Sequence, residues 1–392
     1  MRFQLAERMN AFQTLIFNEL AEYKRKKISE GYEIIDLSIG SPDLPPPPFV
    51  MEALADHVKK ENQYGYSITG TDEFHSAVAE YYKLSHGVHL NEKSEIYCLM
   101  GSQSGLVHFP MVFANPGDII LVPDPGYTAY ATGIAMAEAV PYFMPLRKES
   151  GFLPDLSLVP SEIAKKAKIM ILNFPGNPVP ALATEQFFRE VIAFSRTYNI
   201  IVLHDFAYSE LYYEGNKPIS FLSVPGAKEV GVEMNSLSKS FNMAGCRIGY
   251  IVGNHELIHA LSCLNSNLDY GVFFPIQRAA ALALRQGAGF CEESRLIYES
   301  RRDKLVEGLK SIGWNVEKPK AGMFVWAEIP AGWSSMEFAY ALIDEANVVV
   351  TPGHAFGPSG EGYVRIALVQ NEEKIEQVIR NIETSGILNI HK

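Results

Sequence analysis

Between about Ile96 and Gly253 the chain alternates short apolar, β-branched runs with stretches of helical period, a pattern that admits few folds. The runs are Ile119-Ile-Leu-Val122, Ile169-Met-Ile-Leu172, Ile200-Ile-Val-Leu203 and Arg247-Ile-Gly-Tyr-Ile-Val252. Between two of them, Thr184 to Asn199 carries Phe187, Phe188, Val191, Ile192 and Phe194 at helical spacing, with Thr184 as a candidate N-cap. Strand and helix in repeated succession mark crossover units laid on a parallel sheet, so an α/β fold is expected.

A length of 392 residues exceeds what one hydrophobic core usually absorbs. After Gly289 the pattern changes. A long charged helical stretch, Glu292 to Ile312, precedes Met323-Phe-Val-Trp-Ala327, the helix-like Ser335 to Asn347, Val348-Val-Val350 and Tyr363-Val-Arg-Ile-Ala-Leu368, which suits a compact α+β unit. The expected division is an N-terminal arm and connector over 1–45 that belongs with the small domain, a large domain over 46–285 and a small domain over 286–392. Leu37-Ser-Ile-Gly-Ser-Pro-Asp-Leu-Pro-Pro-Pro-Pro48 reads as the connector, a glycine turn followed by a polyproline-type segment.

A formal net charge of −11 disfavours attraction to nucleic acid or anionic lipid. Cys98, Cys246, Cys263 and Cys291 are widely spaced, with no C-x-x-C pair, so neither a disulfide framework nor a metal site is indicated. The first 27 residues mix charges into their apolar positions and lack an export signal, and no apolar run reaches the roughly 20 residues of a spanning helix. A cytoplasmic protein that binds neither membrane nor nucleic acid is expected.

Ligands on α/β sheets gather beyond the carboxyl ends of strands, where Asn173, Asp205 and Lys239 fall. Lys239 lies in Ser236-Leu-Ser-Lys-Ser-Phe-Asn-Met-Ala-Gly-Cys-Arg-Ile-Gly-Tyr250. A lysine flanked by hydroxyls, with an arginine eight residues on, can form an imine with an aldehyde cofactor whose phosphate those neighbours hold. That points to pyridoxal 5'-phosphate. Gly101-Ser-Gln-Ser-Gly105 opens a helix, where free N–H groups and the dipole attract an anion.

With Asp124-Pro-Gly-Tyr127, Asn173-Phe-Pro-Gly-Asn-Pro178, His204-Asp-Phe-Ala-Tyr208 and Tyr363-Val-Arg365 in the same order, the chain resembles the class I/II aminotransferases of fold type I. The likeness covers nearly the whole length and lies nearest the LL-diaminopimelate and methionine-salvage branch. It implies a large domain with a mostly parallel sheet flanked by helices, plus a smaller α+β domain. It also implies amino-group transfer from an α-amino acid to a 2-oxo acid by a ping-pong mechanism, with the cofactor held as an internal aldimine on Lys239. By the same resemblance Ser102, Gln103, Ser236, Ser238 and Arg247 bind the phosphate, Tyr127 lies against the ring, and Asp205 faces the ring nitrogen. Asn177 and Tyr208 donate to the phenolic oxygen, while Arg365, Asn177 and Gly40 bind substrate.

Two departures from the family pattern stand out. Val179 and Pro180 replace the usual Thr-Gly after Pro178, which leaves the loop around Asn177 open. The family tyrosine that reaches a partner's phosphate falls in register on Gly65, flanked by Tyr64 and Tyr66; Tyr66 is the preferred substitute. A tyrosine crossing between chains implies a homodimer. Two other activities fit the same residues: a C–S β-lyase, which uses the same electron sink, and a cofactor-binding regulatory module. The regulatory module needs a fused basic DNA-binding domain, for which about 40 residues ahead of Gly40 leave little room.

Overall fold

A computed structural model of the chain describes residues 3–12 and 15–389. Its strands are β1 (Ile35–Asp36), β2 (Ile96–Leu99), β3 (Ile119–Asp124), β4 (Val140–Pro145), β5 (Ala167–Asn173), β6 (Ile201–Asp205), β7 (Gly231–Ser236), β8 (Gly249–Gly253), β9 (Phe324–Glu328), β10 (Val348–Val349), β11 (Thr351–Pro352) and β12 (Tyr363–Ala367). Seven of them form one sheet in the order β2-β8-β7-β6-β5-β3-β4. β7, β6, β5, β3 and β4 run parallel, as the alternating pattern predicts. Helices flank the sheet, so the expected fold class holds.

One strand departs from the crossover pattern. β8 is antiparallel to both β7 and β2. Only the segment from Leu237 to Ile248 joins β7 to β8, and most of it is the short helix Leu237–Ser240 and the turn Ala244–Cys246. A parallel crossover needs at least a dozen residues and usually a full helix, and this segment, at that lower limit with only a four-residue helix, returns antiparallel instead. The consequence is functional, because Gly249 at the start of β8 pairs with Ser236 at the end of β7 and Leu99 at the end of β2. The residues after β2, β3, β5, β6 and β7 therefore meet the residues before β8 along one edge.

Local chemistry explains the flanking helices. Thr184 caps Glu185–Tyr198 by accepting the Phe187 N–H at 3.1 Å, and Asn199 closes it in the left-handed region. Phe187, Phe188, Val191 and Ile192 are buried, each contributing roughly 1.5–3 kcal/mol relative to exposure. The polyproline segment ends where Pro48 starts the helix Pro48–His57, a position at which a missing N–H goes unnoticed.

A second core gathers the C-terminal elements. Leu305, Leu309, Phe324, Phe338, Leu342, Val364 and Ile375 pack together, and Ile35 and Leu37 of the connector join them. β1 pairs in parallel with β10, so the early connector is stitched to the C-terminal part of the chain. β11, β12 and β9 form a separate antiparallel sheet. Ala207, Tyr208, Leu211 and Tyr213, which follow β6, also pack into this second core and link it to the large sheet.

Candidate active site

Where the strand ends converge there is a cavity of about 110 Å³. Ser102 and Gln103, from the first turn of the helix Ser102–Phe113, line one part of it together with Ser236, Ser238 and Arg247. Asp205 and Tyr208 line another, and Lys239, Tyr127, Asn177 and Gly40 complete it. Arg365 lies in an adjoining cavity of about 460 Å³ that shares Gly40, Tyr127 and Asn177.

Gly101 precedes the helix with φ +81°, and a Cβ on it would come within 2.6 Å of Arg247 Nη2. Glycine there does two things: it takes the left-handed turn and leaves room for the guanidinium beside the helix N-terminus. Arg247 donates to the Ala244 carbonyl at 3.1 Å and has no carboxylate partner among the described residues. Ser236 Oγ accepts the Ser238 N–H at 3.2 Å, which caps the helix that carries Lys239. Free helical N–H groups, two hydroxyls and an unpaired guanidinium form a donor set suited to a phosphate.

Asp205 is buried, and Tyr130 donates its hydroxyl to Oδ2 at 2.8 Å. The Ala207 N–H reaches Oδ1 at a long 3.3 Å. No cation lies within ion-pair distance of this carboxylate among the described residues. Burial pushes its pKa up, against the hydrogen bonds from Tyr130 and Ala207. A cation in the cavity would reverse that balance and hold Asp205 ionised, which the protonated pyridine nitrogen of a vitamin B6 cofactor supplies.

Lys239 Nζ donates to the Gly40 carbonyl at 2.6 Å. Burial lowers the pKa of its ammonium to about 8, helped by the charges of Arg365 and Arg247 and opposed by Asp205. Arg365 is buried and packs between rings, its guanidinium carbon 4.4 Å from the Phe324 centroid and 4.7 Å from that of Phe356. It donates to Asn177 Oδ1 at 2.7 Å, to Thr351 Oγ1 at 3.2 Å and to the Ser38 carbonyl, while its Nε–H has no partner. Desolvation brings its pKa down to about 10, and no carboxylate pairs with it among the described residues. The site thus holds a buried anion and a buried cation that do not meet each other, with a lysine of lowered pKa in the same region.

Several expectations need adjustment. The connector is tied to the rest of the chain: its Gly40 carbonyl meets Lys239 and its Asp43 makes a two-pronged ion pair with Arg301 at 2.8 Å on each arm. Packing at Gly40 is close as well, because a Cβ would sit 3.0 Å from Phe324 Cζ. The loop made uncertain by Val179 and Pro180 closes through a Gly176 N–H to the Val179 carbonyl at 3.1 Å, with Val179 buried. Asn173 Oδ1 accepts the Asn177 N–H at 2.9 Å and keeps Asn177 at the cavity.

Tyr66 lies outside this chain's cavity. It is 80% exposed and its ring rests 4.8 Å from that of Tyr270. Tyr64 instead donates its hydroxyl to the Val58 carbonyl at 2.7 Å. Sequence reasoning missed Tyr130, Asn173 as a scaffold, Ser38 and Thr351. Tyr130 offered one signal, standing three residues after Tyr127 at the start of a helix.

The comparisons with known proteins fit this geometry. A family model described as aminotransferase class I and II matches residues 32–382. The chain belongs to the class I and II aminotransferases. It is a pyridoxal-phosphate-dependent aminotransferase acting on amino acids and 2-oxo acids. Relatives named LL-diaminopimelate aminotransferase are 43% identical in Syntrophobacter fumaroxidans, over 97% of this chain and 99% of the relative, and 42% identical in Moorella thermoacetica, over 97% of each. The substrate-bound BacF structure from Bacillus subtilis superposes with a TM-score of 0.94 at 37% identity, covering 98% of each chain. A probable N-succinyldiaminopimelate aminotransferase from Thermus thermophilus gives 0.90 at 34% identity, over 94% of this aminotransferase and all of that chain. These relatives do not favour the C–S β-lyase alternative. No helix of the described residues is long and apolar enough to cross a membrane.

Proposed function

We propose that this aminotransferase takes LL-diaminopimelate as amino donor, and that the residues converging at the strand ends have the following roles. Ser102, Gln103, Ser236, Ser238 and Arg247 hold the cofactor phosphate, and Tyr127 lies against the ring. Asp205, oriented by Tyr130, keeps a proton on the ring nitrogen, while Asn177 and Tyr208 donate to the phenolic oxygen. When bound, pyridoxal phosphate supplies an electron-accepting ring for the electrons released at the substrate α-carbon.

Arg365 binds the α-carboxylate and orients the α-C–H towards Lys239, as positioning of this kind lowers a barrier by restricting the reacting geometry. Lys239 would carry the proton between the substrate α-carbon and C4′ of the bound cofactor. With a pKa of about 8, roughly a tenth of its amine is neutral at pH 7, enough to act as a base while remaining a strong one. Donor and acceptor use the same cavity in turn.

The observation that carries this reading is the pair of buried charges without an ion-pair partner among the described residues, Asp205 in the cavity with Lys239 and Arg365 in the cavity that adjoins it. Burying an uncompensated charge is costly, so the fold retains them for a ligand that brings a cation to one and an anion to the other. The donor identity is supported by the names of relatives 40–43% identical over nearly the whole chain. It is tested with a panel of LL-diaminopimelate, methionine and aromatic amino acids against 2-oxoglutarate. LL-diaminopimelate should give the highest kcat/KM; a higher value for methionine or an aromatic donor would refute it.

The active unit in this reading is a twofold homodimer in which Tyr66 of each chain reaches the other's phosphate site. The Tyr66 hydroxyl makes no hydrogen bond among the described residues. Tyr64, Tyr66, Ile68, Leu268 and Tyr270 form exposed apolar surface where 67 and 271 bridge, as an interface requires. The domain division over 1–45, 46–285 and 286–392 is supported by the β1–β10 pairing and the second core. Four free cysteines suit a reducing cytoplasm.

A further inference from the structure

The cavity of about 460 Å³ extends from Arg365 to the N-terminal helix Leu15–Ser29, which contributes Phe17, Leu20, Ala21 and Lys24 to its wall. Apart from Arg365, Lys24 is the only charged side chain in that lining among the described residues. Its Nζ donates to Asp36 Oδ2 at 2.7 Å. Asp36 does not line the cavity, and its other oxygen is occupied by the Ser38 N–H at 2.8 Å and the Ser38 hydroxyl at 2.6 Å. An ammonium has three donors, so Lys24 keeps two for a ligand. Ser38 in turn gives its carbonyl to Arg365. One wall is therefore a continuous hydrogen-bonded line, Arg365 to Ser38 to Asp36 to Lys24, with a cation at each end and apolar surface from Phe17, Leu20, Val349 and Phe356 around it.

A cavity with two cations and an apolar middle matches a chain with an acidic group at both ends. We propose that Lys24 binds the distal carboxylate of a long dicarboxylic amino acid or oxo acid and so determines side-chain specificity. The proposal rests on the reading of Arg365 as the α-carboxylate site and deepens the choice of LL-diaminopimelate. It also gives the N-terminal helix a function, since that helix brings the second cation to the cavity. Asp36 accepts one of the three Lys24 N–H groups and leaves the ammonium able to reach a ligand.

The test uses the holoenzyme and two probes of equal carbon number, heptanedioate and heptanoate, with binding followed by tryptophan fluorescence at constant ionic strength. The wild type should prefer the diacid. Lys24→Met should reduce that preference about tenfold or more, the loss expected for a charge-assisted hydrogen bond. Lys24→Arg should retain it. Asp36→Asn, which keeps the ammonium and removes its partner, should also retain it. An absent preference in the wild type, or one that Lys24→Met leaves within twofold, would overturn the proposal. So would an equal loss in Lys24→Met and Asp36→Asn, which would make the pair a strut for the helix. If LL-diaminopimelate proves a poor donor while the diacid preference depends on Lys24, the donor identity fails and the Lys24 assignment stands. If LL-diaminopimelate is the best donor while the diacid preference survives Lys24→Met, the donor identity stands and the Lys24 assignment fails.

Discussion

Substitution of Arg365 by lysine keeps the charge and removes the fork, which makes it a sharp test of how the α-carboxylate is held. Of the five guanidinium N–H groups, three donate to Asn177, Ser38 and Thr351, which leaves two, Nε–H among them, for a ligand. They sit on nitrogens whose free N–H bonds are not parallel, so a two-pronged carboxylate contact also takes over an Nη2–H now given to Ser38 or Thr351. A lysine ammonium has three donors, and the protein acceptors around it take at least part of that number, so no more than about one remains for substrate. Losing one charge-assisted hydrogen bond costs about 1.5–3 kcal/mol, which corresponds to about a 10- to 150-fold fall in kcat/KM. The measurement is steady-state kinetics on both half-reactions, since in the proposed role the same arginine serves the amino acid and the oxo acid. Cofactor affinity, measured by equilibrium dialysis, should change little, because Arg365 lies outside the cavity that holds the phosphate donors. Retention of kcat/KM within threefold for both substrates would refute the assignment, and a matching loss of cofactor affinity would show that the arginine acts through the fold.

Two further outcomes follow from the same geometry. Lys239 titrates near 8 in the fold against 10.5 ordinarily, so between those values the unfolded chain binds the extra proton and stability rises with pH. At pH 7 the buried ammonium costs about 3 kcal/mol, partly offset by its bond to Gly40. Lys239→Met should therefore make the cofactor-free protein about 2 kcal/mol more stable at pH 7 in urea unfolding, with the gain vanishing as pH approaches 10.5; an equal or lower stability at pH 7 would contradict it. For the dimer, Lys239→Ala and Tyr66→Phe chains should each be impaired alone, whereas their hybrid contains one site with both native residues. An equal mixture that reassorts at random should restore up to about a quarter of wild-type activity and an isolated hybrid up to about half, and no recovery in a verified hybrid would remove Tyr66 from the partner's site.

The readable part of this enzyme lay in segments whose meaning is local. Ile169 to Leu172 and Ile200 to Leu203 announce buried strands by composition alone, and Lys239 with Arg247 sits on a single turn between β7 and β8, so their spacing carries the chemistry. β7 escaped that reading because its centre is Glu233. That carboxylate is fully buried, and it is tolerated because Tyr82 donates at 2.7 Å, Ser220 and the Phe221 N–H at 2.8 Å, and His204 Nδ1 lies 2.8 Å away. A strand that buries a charge satisfied by residues from three other places has no period-based signature.

The same reasoning separates reaction from specificity. The residues proposed to hold the cofactor follow strand ends, and a sheet with known chain direction brings strand ends together whatever the loops do. Substrate residues depend instead on contacts that no window of sequence contains: Arg365 meets Asn177 across 188 positions and Ser38 across 327, and the second core rather than the sheet sets their approach. Lys24 and Asp36 are only 12 apart, yet their pairing becomes informative only once the helix is seen to wall the cavity. Side-chain preference in this fold should accordingly change through the N-terminal helix while Lys239, Asp205 and Arg365 stay fixed, because that helix walls the far part of the cavity, whereas the connector's Gly40 and Ser38 also meet Lys239 and Arg365.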